Sequence, residues 1–148
     1  METIMKKVHQ LSVFAENKPG KIEKITRILT REKINMRAIT IASSNKYGVI
    51  KLLVNDPEKA YQSLKKEGLS VALNPALAIE IEDKPGGLHR IVQVMKKYKI
   101  NIENACGFVI KSGEKAVLII EVKDIEEVEN VLSNGNIHFL SENDLYEI

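Results

Sequence analysis

Tryptophan is missing from this chain, cysteine occurs once, and aromatic residues make up only 5% of its 148 positions. The single Cys106 excludes an internal disulfide and suits a reducing compartment. His9, His89 and His138 show no metal-ligand spacing with one another or with Cys106, so no metal site is read from them. Each histidine is expected at the surface or as a satisfied structural residue. Cys106, followed by Gly107 on a predicted strand, is expected as a small buried thiol rather than a nucleophile. Few aromatics leave few platforms for base stacking, and a formal net charge of +2 exerts little pull on a phosphate backbone. Nucleic-acid binding is therefore not expected. No apolar run reaches the roughly 18 residues of a membrane span. The start, Met1 to Lys7, lacks the long apolar segment and small-residue cleavage pattern of a signal peptide, so a cytoplasmic protein is expected.

What the chain does contain is a stretch that occurs twice. Glu16-Asn17-Lys18-Pro19-Gly20-Lys21-Ile22 returns as Glu82-Asp83-Lys84-Pro85-Gly86-Gly87-Leu88, at an offset of 66 residues from Pro19 to Pro85. Each copy follows an alternating apolar run and opens a helical pattern, so each reads as a strand-to-helix turn. A helix starting there presents unpaired N–H groups and the positive end of its dipole. Gly20 and Gly86 carry no side chain and let a ligand approach the backbone. Such a corner suits a carboxylate or a phosphate.

Periodicity predicts the elements around the corners. Leu11, Val13 and Ala15 alternate with Gln10, Ser12 and Phe14, as in a strand with one face on a core. Ile22, Ile25, Ile28 and Leu29 mark a helix whose opposite face carries Lys21, Lys24, Arg27 and Arg31, a basic surface expected to be solvated. Strands follow at Ile34 to Ala42 and Tyr47 to Val54; the second is apolar on nearly both faces, which places it inside a sheet. Asp56 and Pro57 start a helix that ends near Gly68, and Leu69 to Leu73 closes the half. After the short linker Asn74-Pro75 the order repeats. Leu77 to Ile81 is a strand, and Leu88, Ile91, Met95 and Tyr98 mark a helix. A strand runs from Ile100-Asn101-Ile102 toward Ile110, and another covers Val117 to Val122. A helix capped by Asp124 ends at Asn134-Gly135, and Ile137 to Leu140 is the last strand. Ser141-Glu142-Asn143-Asp144 has the form of a capping box. Two βαββαβ units, residues 1–73 and 74–148, give an α+β fold of tandem ferredoxin-like domains, each an antiparallel sheet with its helices on one face.

This pattern resembles the ACT domain, and specifically stand-alone ACT domain pairs. The residues that carry the resemblance are Leu11 to Ile22 with Ile34-Asn35-Met36, and Ala78 to Leu88 with Ile100-Asn101-Ile102, followed by the closing Leu140-Ser141-Glu142. The resemblance implies a non-catalytic regulatory module that binds a free amino acid where ACT units meet, with no cofactor. Its ligand residues, carried over by position, are Asn17, Lys18, Pro19, Gly20, Lys21, Ile22 and Asn35, and Asp83, Lys84, Pro85, Gly86, Gly87, Leu88 and Asn101. Backbone N–H groups at Gly20-Lys21-Ile22 or Gly86-Gly87-Leu88 would hold the α-carboxylate. Asp83 could pair with the ammonium, and Asn17 could hydrogen-bond to it. Asn35 and Asn101 have a simpler reading, as caps of the helix-to-strand loops. Gly87 in place of Lys21 leaves the second loop barer, which slightly favours the second site. A homodimer is expected because a lone pair leaves sheet edges open, and a regulated enzyme is a further partner. The alternative function is a regulatory subunit of an amino-acid biosynthetic enzyme that acts mainly by pairing with it. Small phosphatases also use ferredoxin-like folds, but they need an arginine in the loop after the first strand. Both loops here lack one, so catalysis is not expected.

Overall fold

A computed structural model describes residues 8–146, and the chain start read above lies outside them. The chain divides into two compact units, one of residues His9–Asn74 and one from Pro75 onward. The first contains β1 (Val8–Glu16), α1 (Lys21–Arg31), β2 (Met36–Ser44), β3 (Tyr47–Val54), α2 (Pro57–Lys66) and the start of β4 (Ser70–Glu82). The second holds the rest of β4, α3 (Gly87–Lys97), β5 (Asn104–Lys111), β6 (Lys115–Glu121), α4 (Ile125–Ser133), β7 (Phe139–Leu140) and α5 (Glu142–Tyr146). In the first unit β3 lies between β2 and β1, and β4 lies beside β1. In the second, β6 lies between β5 and β4, and β7 pairs with β4. The described pairings of β1 with β3, β2 with β3, β4 with β6, β4 with β7 and β5 with β6 are antiparallel.

Alternation along the strands builds each core. Leu11, Val13, Ile50, Leu52 and Val54 pack against Ile25, Ile28 and Leu29 of α1 and Ala60 and Leu64 of α2. Leu77, Ile79, Leu118 and Ile120 pack in the same way against Ile91 and Met95 of α3 and Val128 and Leu132 of α4. β3 is interior, as its two-sided apolar run requires. The basic face of α1 is partly tied down: Arg31 pairs with Glu67 at 3.0 Å and Arg27 with Glu23 at 3.3 Å.

Local chemistry sets the helix ends. Asp56 accepts a hydrogen bond from the Lys59 amide at 3.2 Å, and Asp124 accepts one from the Glu127 amide at 3.1 Å. Ser141 and Asp144 exchange reciprocal hydrogen bonds of 2.8 and 3.2 Å, so the capping box is formed with Asp in the acidic role. Lys33 and Lys99, one offset apart, both take the left-handed conformation just past the first helix of their unit.

The structure departs from the sequence reading at several places, among them the start of β2 at Met36 rather than Ile34. The division between the units falls at Asn74-Pro75, where the linker is expected, but β4 runs through it without a break. Proline holds itself and its predecessor in extended backbone, and Pro75 is exposed, where a missing N–H costs little. Ile100 to Ile102 precede β5 rather than belong to it, although Ile100 and Ile102 still pack on the core. The last strand is two residues long. Cys106 is half-buried rather than buried. Among the described residues no helix is long and apolar enough to cross a membrane. Cap and core differ in weight. Asp124→Ala is expected to cost about 1 kcal/mol and Leu132→Ala about 2–5 kcal/mol, read as shifts of the urea midpoint.

Candidate functional site

The two corners repeat in three dimensions. Gly20 and Gly86 are the N-cap residues of α1 and α3, with φ of 92° and 90°, and no side chain caps either helix. Glycine is required there for its backbone conformation as well as for access. A Cβ at either position would meet nothing within 4 Å, so both corners face open space. The first helical amide is used within the turn: Gly87 N–H donates to the Lys84 carbonyl at 3.0 Å, and Lys21 N–H to that of Lys18 at 3.4 Å. The amides of Ile22 and Glu23, and of Leu88 and His89, form no hydrogen bond among the described residues. In each corner a glutamate and a lysine two residues on form an ion pair, Glu16–Lys18 at 2.6 Å and Glu82–Lys84 at 2.5 Å. Lys84, chiefly through its hydrogen bond, holds the Glu82 carboxyl below its ordinary pKa, and Arg90 adds a smaller push the same way.

Around the second corner lies a cleft of about 380 Å³. Lys84, Pro85, Gly86 and Gly87 line it, together with Glu80 and Glu82 from β4, Arg90 from α3, Glu114, and Asn136 and His138 from the approach to β7. Glu80 stands between two cations, Lys115 at 3.1 Å and His138 at 3.4 Å, the latter an ion pair only while His138 is protonated. The Glu80 amide donates to the His138 carbonyl at 2.9 Å, which fixes the two side chains as neighbours. The cleft thus joins three carboxylates, two permanent cations and a histidine to the electropositive end of a helix.

The remaining sequence-predicted residues have other places. Asp83 does not line the cleft; its carboxylate accepts a hydrogen bond of 2.7 Å from the Gly113 amide and ties the corner to the β5–β6 hairpin. Leu88 also lies off the cleft and is 47% exposed. Gly87 is buried, and a Cβ there would sit 2.0 Å from the Glu82 carbonyl oxygen. The bareness read as access at Gly87 is therefore taken up by packing. In the first unit Asn17 and Lys18 line a hollow with Glu16, Asn45, Lys46 and Tyr47, whereas Pro19, Gly20, Lys21 and Ile22 do not; Ile22 packs on the core. Asn35 and Asn101 lie at the far ends of their sheets from the corners. β3 separates Asn55, which bonds with Asn35 in both directions, from the corner by roughly 23 Å at about 3.3 Å per residue. No corner shares a site with the asparagine of its own unit.

Glu80, Glu82, Arg90, Glu114, Asn136 and His138 were not read as site residues. One signal was available: position 80 is Glu where the first copy has Phe14. The convergence of His138 on Glu80 needs the β4–β7 register, which sequence spacing does not carry.

Gly87→Ala is expected to destabilise the second unit, although Gly→Ala inside a helix ordinarily stabilises by roughly 1 kcal/mol, because backbone rather than a flexible side chain stands in the way. A thermal melt checks it. The carboxyl of Glu82 is expected to titrate below an ordinary glutamate in an NMR pH series, and Lys84→Ala to return it to the ordinary range. The sign follows: any stabilisation from this pair is present above the unfolded pKa and is lost as pH falls through the folded one.

Comparison with known proteins adds the family. A profile described as ACT domain pair matches residues 6–148. A protein of solved structure from Bacteroides thetaiotaomicron is 29% identical, with a TM-score of 0.89 over 97% of this chain and 98% of that one. The ligand-free regulatory subunit of aspartate kinase from Thermus thermophilus is 18% identical, with a TM-score of 0.64 over 86% of this chain and 89% of its own. The corresponding subunit from Thermus flavus is 16% identical, with a TM-score of 0.57 over 89% and 95%. These last two likenesses are of fold. No curated protein matches. With the paired corners and both βαββαβ units inside the matched region, the chain belongs to the ACT domain pair family.

Proposed function

We propose that this chain is a non-catalytic regulatory protein that binds a free amino acid, with the second corner as a binding site. The observation that carries the reading is the charge pattern of the cleft, where groups of both signs surround a volume suited to one small molecule. An α-carboxylate seated at the Gly86 end of the cleft is held by the Arg90 guanidinium, with the Leu88 and His89 amides reached from just beyond its lining, and an α-ammonium by Glu80, Glu82 or Glu114. Lys84, Pro85 and Gly86 shape the floor. Membership of the ACT domain pair family supports a regulatory role. Output follows if the ligand favours one arrangement of the protein over another, since an effector shifts an equilibrium only through differential affinity. Assembly as a homodimer, a regulated enzyme as partner and a cytoplasmic setting belong to the same reading.

The alternative is a regulatory subunit of an amino-acid biosynthetic enzyme that acts mainly by pairing with it; the two Thermus proteins of similar fold are regulatory subunits of aspartate kinase. Co-purification of a catalytic subunit, with no response to free amino acids, would favour it. A thermal-shift screen of the twenty amino acids decides. At a hundredfold excess over Kd a binder adds about 2.7 kcal/mol, which raises Tm by roughly 5–10 °C in a chain of this size. Arg90→Gln is expected to weaken that response at least tenfold in Kd. Silence from all twenty contradicts the proposal.

A further inference from the structure

The first helices of the two units differ along one flank. In α1 that flank carries Thr26 and Thr30, whose hydroxyls donate to carbonyls of their own helix at 3.0 and 2.7 Å. At the same offset, α3 carries Val92 and Lys96. Val92 is 42% exposed and Leu88, one turn before it, 47%, whereas α1 leaves no large apolar residue exposed among the described residues. Positions 88, 92 and 96 follow one another at i, i+4 spacing, so they form one ridge along the helix.

The charges differ as well. In α1 Arg27 pairs with Glu23 and Arg31 with Glu67, and the Lys24 ammonium donates to the Glu67 carbonyl at 3.4 Å. From Lys84 to Ile102 the second unit has the basic residues Lys84, Arg90, Lys96, Lys97 and Lys99, and no aspartate or glutamate. Lys96 and Lys99 form no ion pair among the described residues.

Beside the ridge lies a furrow of about 430 Å³, between α3 and the segment that leads to β5. Val92, Met95, Ile100 and Ile102 give it an apolar lining, and its two charged lining residues, Lys96 and Lys99, are both cations. Ile100 is only half-buried, where its counterpart Ile34 is buried in the first unit. A concave apolar strip edged by charge of one sign is complementary to a partner that supplies apolar side chains and the opposite charge. Concavity also favours a side chain projecting from a protein over the flat surface of a bilayer.

We propose that this furrow docks an acidic amphipathic segment of a partner protein. The segment sets an aliphatic side chain against Val92, Met95 and Ile102 and carboxylates on Lys96 and Lys99. The inference rests on the reading of the chain as a regulator that acts on a partner, but it uses no residue of the cleft at Gly86. It gives that regulator an output face, on the second unit.

Titration of the full chain with a synthetic helix-forming peptide of glutamate and leucine, followed by NMR with no amino acid added, tests this. Polyglutamate of the same length and vesicles of phosphatidylserine serve as comparisons. The mixed peptide is expected to bind, to shift the signals of Val92, Met95 and Ile102, and to weaken at least tenfold between about 50 and 300 mM salt. Val92→Thr and Lys96→Thr, each installing the first unit's residue at an exposed position, are expected to weaken it at least fivefold. Absence of binding, shifts confined to other surfaces, or affinity unchanged in both variants overturns the proposal. Equal affinity for polyglutamate also overturns it, because the apolar lining then contributes nothing. Binding to vesicles without binding to the peptide overturns it in favour of a membrane surface. Each of these failures leaves the amino-acid reading standing, since that is decided separately by the thermal-shift screen.

Discussion

Everything in this protein turns on a sharp corner in which a glycine with positive φ carries the chain from a strand directly into a helix. Only glycine adopts that conformation without strain, and no side chain caps the helix that follows. Unsatisfied amides therefore open beside the end of a strand whose last residues are acidic. The arrangement is costly for folding, because uncapped helices lose stability that Asp56 and Asp124 supply elsewhere in the chain. A bare positive helix end next to carboxylates suits a ligand that carries both charges.

Much of the fold was legible because the repeated demands are local. Apolar alternation in β1 and β4, the helical spacing of Ile25, Ile28 and Leu29, and the caps at Asp56 and Asp124 act within a few residues, so they appear directly in sequence order. Asn74-Pro75 does mark the division of the units, but proline is compatible with extended backbone as well as with a break, so the strand that runs through it was not legible. The site was legible only in outline. Lys84, Pro85 and Gly86 belong to the motif itself, but Glu80 and His138 lie 58 positions apart in the chain and meet through sheet register. Asp83 was read as a ligand group because its distant partner, the amide of Gly113, belongs to a hairpin thirty residues on.

Duplication explains the symmetry, and divergence explains where it fails. Both units keep the glycine, the proline and the glutamate–lysine pair. They differ at Lys21 and Gly87, where the second unit presses helix against strand closely enough to exclude a Cβ. They differ again at Phe14 and Glu80, which gives one half an apolar wall and the other a buttressed carboxylate. These substitutions sit beside the corners rather than in the cores, whose packing plan is shared.

The central claim is that the glycine corners grip the charged ends of a metabolite. It is tested most directly by a high-resolution structure of the protein crystallised with the amino acid that stabilises it most. The account predicts ligand density with its carboxylate within hydrogen-bond distance of the amides that follow Gly86 or Gly20. Density seated away from both corners, with those amides still facing solvent, would contradict it.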